Sequence, residues 1–231
     1  MQPYAKIGRF SIEQGLFGAQ LNNKRKELAT MSTQQEIALF PLQIILYPTI
    51  GSRMQIFEQR YLRLVKESMA DDKPFGILPI VEGKEVGATP QVFPWGTLVT
   101  IRDFEQLPNG LLSIAVQGEQ RIHIGTTRVE DDGLMFGNAE IFAADGDEPI
   151  GFAEDDLVDM LESLAKHMGV DKSVFLADLT KATLVWRLAG VLPVDPERKR
   201  SLLAMATVDE RLLEIKKWVI ELRMRAAKPS P

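Results

Sequence analysis

The sequence contains no cysteine, which removes disulfides, thiolate metal ligands and a cysteine nucleophile, and suits a reducing compartment. Histidine is nearly as scarce. Only His123 and His167 occur, and neither stands at a spacing that reads as a local metal site, so no metal centre and no cofactor are expected. No apolar run approaches the roughly 20 residues needed to span a bilayer, and nothing at the start reads as a signal peptide. A Gly-x-x-x-x-Gly-Lys-Ser/Thr loop, which cradles nucleotide phosphates, is missing. Positive charge is in deficit: a net charge of -5 repels nucleic acid on average and leaves only a local basic patch as a route to it. A cytoplasmic protein without membrane contact is expected.

What is present suffices for a sizeable core. The 231 residues, 45% of them hydrophobic, suggest one large domain or two small ones in close contact. Residues 1–35 read as a basic, flexible extension around Lys24-Arg25-Lys26, and Met31 stands as an alternative start to Met1. Residues 36–145 read as a β-rich domain, with short apolar runs punctuated by Pro and Gly. Within it, Phe57 to Met69 predicts an amphipathic helix with Phe57, Tyr61, Leu64, Val65 and Ser68 near one face. Pro108-Asn109-Gly110 predicts a hairpin with a tight primed turn, and Asp132-Gly133 a second hairpin.

After Asp145-Gly146-Asp147-Glu148-Pro149 the period changes to helical, and residues 146–231 read as a bundle of about four helices. Leu157 to Met168 ends at a Gly169 cap, and Leu179 to Ala189 is expected to end at Gly190. Asp195-Pro196 opens a third helix. Thr207-Val208-Asp209-Glu210 forms a capping box for a fourth, with Leu212, Ile215, Val219 and Leu222 as its buried stripe.

Phe40-Pro41-Leu42, Tyr47-Pro48 and Ile56-Phe57-Glu58-Gln59-Arg60-Tyr61 together resemble the amino-terminal domain of the Lon proteases. The order continues through Phe75-Gly76, Val86-Gly87, Gly96-Thr97, Leu107-Pro108-Asn109-Gly110 and Gly118 with Arg121, and on into the Leu188 to Trp218 region. Gln59 stands where that family usually has Pro, and Tyr47 where it usually has Phe. The resemblance implies an α+β fold: a PUA-like β pseudobarrel with one packed helix, followed by the helical bundle. It also implies a stand-alone, non-catalytic module for protein quality control that binds unfolded or partner polypeptides, with a separate protease or chaperone among its conceivable partners. The activity of a whole Lon protease does not transfer with the fold.

Phe93 and Trp95, beside Pro94 in an irregular stretch, are the candidate exposed anchors of a polypeptide-binding surface, with Phe40 and Phe75 as further candidates. By periodicity the latter two also suit a core. Phe57, Glu58, Arg60 and Tyr61 form the structural motif at the helix start, Glu58 and Arg60 as an ion pair that anchors it to neighbouring loops. Ser163-Leu164-Ala165-Lys166 matches a Ser-x-x-Lys pattern but lies in an amphipathic helix without companion motifs or an oxyanion site. His123, His167 and the Asp155, Asp156, Asp159 cluster read as structural. No catalytic residue is assigned and no enzyme is expected. Recognition of a small molecule or nucleic acid by a PUA-like fold is the alternative, and hydrolysis at Ser163 a more distant one.

Overall fold

The computed structural model describes residues 33–227. The basic stretch at Lys24 to Lys26 and the alternative start at Met31 lie outside the described residues. Alternating side chains along β7 (Met135–Ile141) and parts of β6 (Leu112–Val129) send one face inward, as a half-buried strand requires, whereas β1 (Thr33–Leu42) passes from exposed at Thr33 to Glu36 to buried at Leu39 to Leu42. With β3 (Phe75–Glu82), β4 (Gln91–Val92) and β5 (Trp95–Gln106) they form a sheet ordered β1-β7-β6-β5-β3-β4. A parallel pairing of β1 with β3, from Leu39 opposite Gly76 to Leu42 opposite Pro79, closes this sheet on itself. β2 (Gly51–Ile56) is added outside the closed path, antiparallel to the first third of β6. Closure leaves fewer open edges than a flat sheet of the same strands would, although β3 does not cover β5 beyond Val99.

Both predicted hairpins form, with a turn different from the expected one. In each, the amide of a glycine donates to the carbonyl three residues back: Gly110 to Leu107 and Gly133 to Glu130, each at 2.8 Å. Only the glycines have positive φ, 83° and 84°, so these are type I turns followed by a left-handed residue, not primed turns. Pro108 holds φ negative at the position where a primed turn needs it positive. The side chains of Asn109 and Asp132 complete the loops by accepting from the amides of Leu111 and Leu134.

The helix α1 (Gln59–Asp71) packs Tyr61, Leu64, Val65 and Ser68 onto the barrel. Phe40, Tyr61, Leu64, Phe75, Val99 and Ile114 share one barrel core; Leu39, Leu78, Ile122 and Ile124 form a second. After the barrel come a short 3-10 turn (Phe152–Glu154), α2 (Asp155–Met168), α3 (Lys172–Phe175), α4 (Lys181–Val191), α5 (Pro196–Ala204) and α6 (Val208–Ala226). Caps follow the residues. Gly169 takes the left-handed position, Asp195 accepts from the Glu197 amide, and Thr207 with Glu210 closes a reciprocal box. α4 departs from expectation at both ends: Thr180 caps it, and Gly190 lies within its last turn. The helix ends at Leu192, because Pro193 disfavours helical backbone in the residue before it.

Barrel and helices meet over Tyr47, which is buried, stacks on Trp186 at 5.2 Å and donates to the Lys199 carbonyl at 3.1 Å. Two buried arginines complete the seam. Arg121 of β6 donates to the Leu203, Met205 and Ala206 carbonyls at the end of α5. Arg211 of α6 donates to Met205 as well, pairs with Asp145 and lies over the Trp186 ring at 4.6 Å. The indole of Trp186 donates to the same carboxylate. Burial, with the neighbouring Arg211 charge behind it, pushes the Arg121 pKa down to about 10.

Candidate functional site: the loop rim at the start of α1

The chain enters α1 through an extended Glu58 whose side chain makes no cap bond to the helix. That carboxylate turns to Arg60, 2.9 Å away. Arg60 is only 6% exposed and donates to backbone as well, from Nη1 to the Gly133 carbonyl at 3.3 Å and from Nη2 to the Glu85 carbonyl at 3.2 Å. Its guanidinium lies over the Tyr61 ring at 4.7 Å, and burial raises the Tyr61 phenol to about 12. The Glu85 side chain in turn accepts from the Gln43 amide at 2.7 Å. One buried cation therefore gathers the β7 hairpin turn, the loop after β3, the loop after β1 and the approach to α1.

Each of the last three segments carries an apolar side chain with nowhere to hide. Ile44, next to Gln43, Val86, next to Glu85, and Phe57, next to Glu58, are each about half exposed. Apolar groups on loops fixed by hydrogen bonds to one another and to a buried arginine form a surface that is ordered before a ligand arrives, which lowers the cost of binding. Such a rim offers apolar anchors surrounded by polar groups, as a polypeptide-binding surface needs.

The sequence-derived candidates scatter. Phe40 and Phe75 are buried, Phe40 stacked on Tyr61 at 4.1 Å and tilted against Phe75 at 6.4 Å, and so are corrected from surface candidates to core. Their inward strand positions leave no face for a ligand. Trp95 is half-buried at the seam between barrel and helices, 5.1 Å from the Phe142 ring and 4.8 Å from His123; Phe93 is half-buried and donates its amide to Pro79. Phe57 is corrected in the opposite sense. The helix begins two residues after it, so it leaves the predicted buried face and points outward. Neither Ile44 nor Val86 was a site candidate: Val86, noted only in the Val86-Gly87 pair, stands alone between Glu85 and Gly87, the signal that could have found it, whereas Ile44 is hidden in the apolar run from Leu42 to Leu46.

A concavity lies at the far end of α1, about 270 Å³ and lined by Met69, Asp72, Lys73, Ile101, Arg102 and Phe104. It borders the part of β5 beyond Val99, which β3 does not cover. Ser163 and Lys166 are exposed on α2, and the His167 ring faces the Ser163 carbonyl rather than its hydroxyl. Among the described residues no cluster of three or more His, Cys, Asp or Glu could hold a metal, and no helix is long and apolar enough to cross a membrane.

Comparison with known proteins agrees with this architecture. Residues 36–220 match the family described as the ATP-dependent protease La (LON) substrate-binding domain. Lon protease of Brevibacillus choshinensis is 24% identical over 190 residues, 78% of this chain and 24% of that protein. That of Haemophilus influenzae is 26% identical over 193 residues, covering 78% and 23%. The chain thus spans about a quarter of the length of these relatives. Among solved structures, a Lon N-terminal domain protein from Xanthomonas campestris superimposes with a TM-score of 0.67 at 29% identity, over 80% of this chain and 98% of that one. The N-terminal domain of the Mycobacterium avium complex Lon protease shares the fold at 15% identity, with a TM-score of 0.58 over 80% and 97%. With the greater part of its length matched and the same mixed α+β fold, the chain belongs to the Lon substrate-binding domain family.

Proposed function

We propose that this chain is a non-catalytic polypeptide-binding module, and that the rim of Ile44, Phe57 and Val86 is where unfolded or partner polypeptides dock. The observation that carries this reading is the pairing of half-exposed apolar side chains with a buried Arg60 that holds Glu58 and the Glu85 carbonyl, while the Glu85 side chain holds the Gln43 amide. Exposing such residues lowers solubility without stabilising the fold, so their placement on a rigid rim fits a ligand. The family's description as a substrate-binding domain supports the same reading. The proposed organisation is a barrel over 33–145, since Thr33 to Gln35, expected in a flexible extension, already pair with β7, and a helical part over 146–231, working in the cytoplasm beside a separate protease or chaperone. Trp95, packed against the helical core, is assigned to the seam rather than to the ligand, and Phe93, tied to Pro79 of β3, remains a further candidate for it.

The test is fluorescence anisotropy with a labelled, permanently unfolded protein. The wild-type chain should bind it, and the Ile44→Ser, Phe57→Ser, Val86→Ser triple variant should bind about tenfold or more weakly, since burying even part of several such side chains exceeds 1.4 kcal/mol. Equal binding by the triple variant would move the site elsewhere. No binding by the wild type to unfolded chains or to partners captured from extract would sink the reading altogether.

A further inference from the structure

The charges around the rim of Ile44, Phe57 and Val86 are unevenly matched. Arg60 is held by Glu58, Arg63 by Glu67, Glu130 and Asp132, and Arg128 by Glu36 and Glu130. Three cations thus stand among five carboxylates. Beyond these pairs, Glu82 at the end of β3, Glu85 on the loop that follows and Asp131 in the β7 hairpin turn form no ion pair among the described residues. The cations left over are Lys84 on that loop and Lys66, which lies about 10 Å beyond the start of α1 at 1.5 Å per residue. Eight acids against five bases leave an excess of three negative charges.

This excess lies beside the apolar side chains. Glu85 precedes Val86 directly, Glu58 follows Phe57, and the Glu85 carboxylate accepts from the Gln43 amide next to Ile44. Asp131 stands two residues before Gly133, whose carbonyl takes a bond from Arg60. Burial pushes the Tyr61 phenol up most and Arg60 opposes it, but Glu58 and Glu85 both add to the rise, so both carboxylates lie near that ring. Unpaired carboxylates on an exposed surface add nothing to the fold. Placed around apolar anchors, they act on what approaches: a field of one sign draws cationic groups in and turns anionic ones away.

Resting on the reading of this rim as a polypeptide site, we propose that it selects segments in which apolar residues are flanked by lysine or arginine, and rejects segments flanked by aspartate or glutamate. The division of labour follows from the chemistry. Ile44, Phe57 and Val86 bury apolar surface and supply the affinity; Glu82, Glu85 and Asp131 meet the flanking charges in water, where each pair adds little and several together decide between ligands. A polycation without apolar residues has no anchor here, and the same excess of negative charge repels nucleic acid.

Fluorescence anisotropy of the whole chain with three labelled peptides tests this: one apolar centre of leucine and phenylalanine, flanked on both sides by lysine, by serine or by glutamate. At low salt the lysine-flanked peptide should bind about tenfold more tightly than the glutamate-flanked one, with the serine-flanked peptide between them. The difference should collapse at about 1 M salt, where charges are screened beyond about 3 Å. Glu82→Lys with Asp131→Lys, which leaves Glu85 and its bond to Gln43 in place, should abolish or invert the preference. Asp147→Lys with Asp159→Lys, the same change in net charge on exposed residues of the helical part, should preserve it. A preference that survives the first reversal, or that the second removes equally, would belong to the net charge of the chain and overturn the proposal. Equal binding of all three peptides by the wild type, with the serine-flanked one lost in the Ile44→Ser, Phe57→Ser, Val86→Ser variant, would overturn the proposal and leave the rim reading standing. If no peptide bound, or if that triple variant bound the serine-flanked peptide as the wild type does, the rim reading would fail and the selection with it.

Discussion

Arg60 in the barrel and Arg211 in the helical part are built alike and positioned differently. Each is buried, each lies over an aromatic ring at close to the same height, 4.7 Å for Tyr61 and 4.6 Å for Trp186, and each leaves its Nε without a hydrogen-bond partner among the described residues. Arg60 pairs with a carboxylate two residues away, itself 20% exposed, and ties loops at the edge of the molecule. Arg211, fully buried, pairs with Asp145 across 66 residues of chain and joins the end of the barrel to the last helix. The same device thus orders a surface in one place and holds two structural parts together in the other.

The comparison breaks most visibly at Arg211. Arg211→Met strands Asp145 in the seam beside the Trp186 indole, and removal of one partner of a buried ion pair costs about 3–5 kcal/mol. Urea denaturation followed by circular dichroism should read that loss. Adding Asp145→Asn should restore part of it, because the amide oxygen can still accept from Trp186 while the orphaned charge is gone. If Arg211→Met changed stability by less than 1 kcal/mol, the seam would not depend on this pair.

Arg60→Met should cost less, about 2 kcal/mol, since Glu58 lies near enough to solvent to be rehydrated. Its larger effect is expected on binding. Without the donors to Gly133 and Glu85 the rim loops separate, and affinity for an unfolded chain should fall although no contact residue has changed. A variant that loses stability but binds normally would show that the rim is held by other means.

These two arginines also explain what could be read in advance. Glu58 and Arg60 are neighbours in the sequence, so their pairing follows from spacing and a helix start. Arg121 and Arg211 were legible only as residues on a strand and a helix, because Asp145 and the α5 carbonyls come near them through tertiary packing alone. The helix caps at Gly169, Asp195 and Thr207 were readable for the same local reason, whereas Gly190 misled because Pro193, three residues later, decides where α4 stops. Of the site, Phe57 was noticed and given the wrong face by two residues of helix boundary. Ile44 and Val86 needed the hydrogen bond from the Gln43 amide to Glu85 for their loops to be seen together.

A pH titration sharpens the contrast between the two parts. Burial by itself would raise the Glu214 pKa, but hydrogen bonds from Arg198, Trp218 and Lys217 outweigh it and hold the group below its ordinary 4.5. A carboxylate lowered by folding contributes stability above its unfolded pKa and loses it as pH falls through the folded value. The α5–α6 pair should therefore weaken in acid below about pH 4.5, and Glu214→Gln should flatten that limb of the stability curve. An unchanged acid limb in the variant would remove Glu214 from the account. At the Arg60 site no such limb is expected from Tyr61, whose raised phenol titrates only in strong base.

The smallest effect on folding should come from Phe57→Ser. Phe57 is 56% exposed and precedes the helix, so the change removes little buried area and should alter stability by no more than about 0.5 kcal/mol. Phe40, an aromatic of the same type, is 5% exposed and stacked on Tyr61; its truncation to alanine costs about 3–5 kcal/mol at such a site. If Phe57→Ser leaves the melting temperature in place yet weakens capture of unfolded protein, the exposed aromatic is kept for a ligand. If binding also stays unchanged, Ile44 and Val86 carry the rim without it.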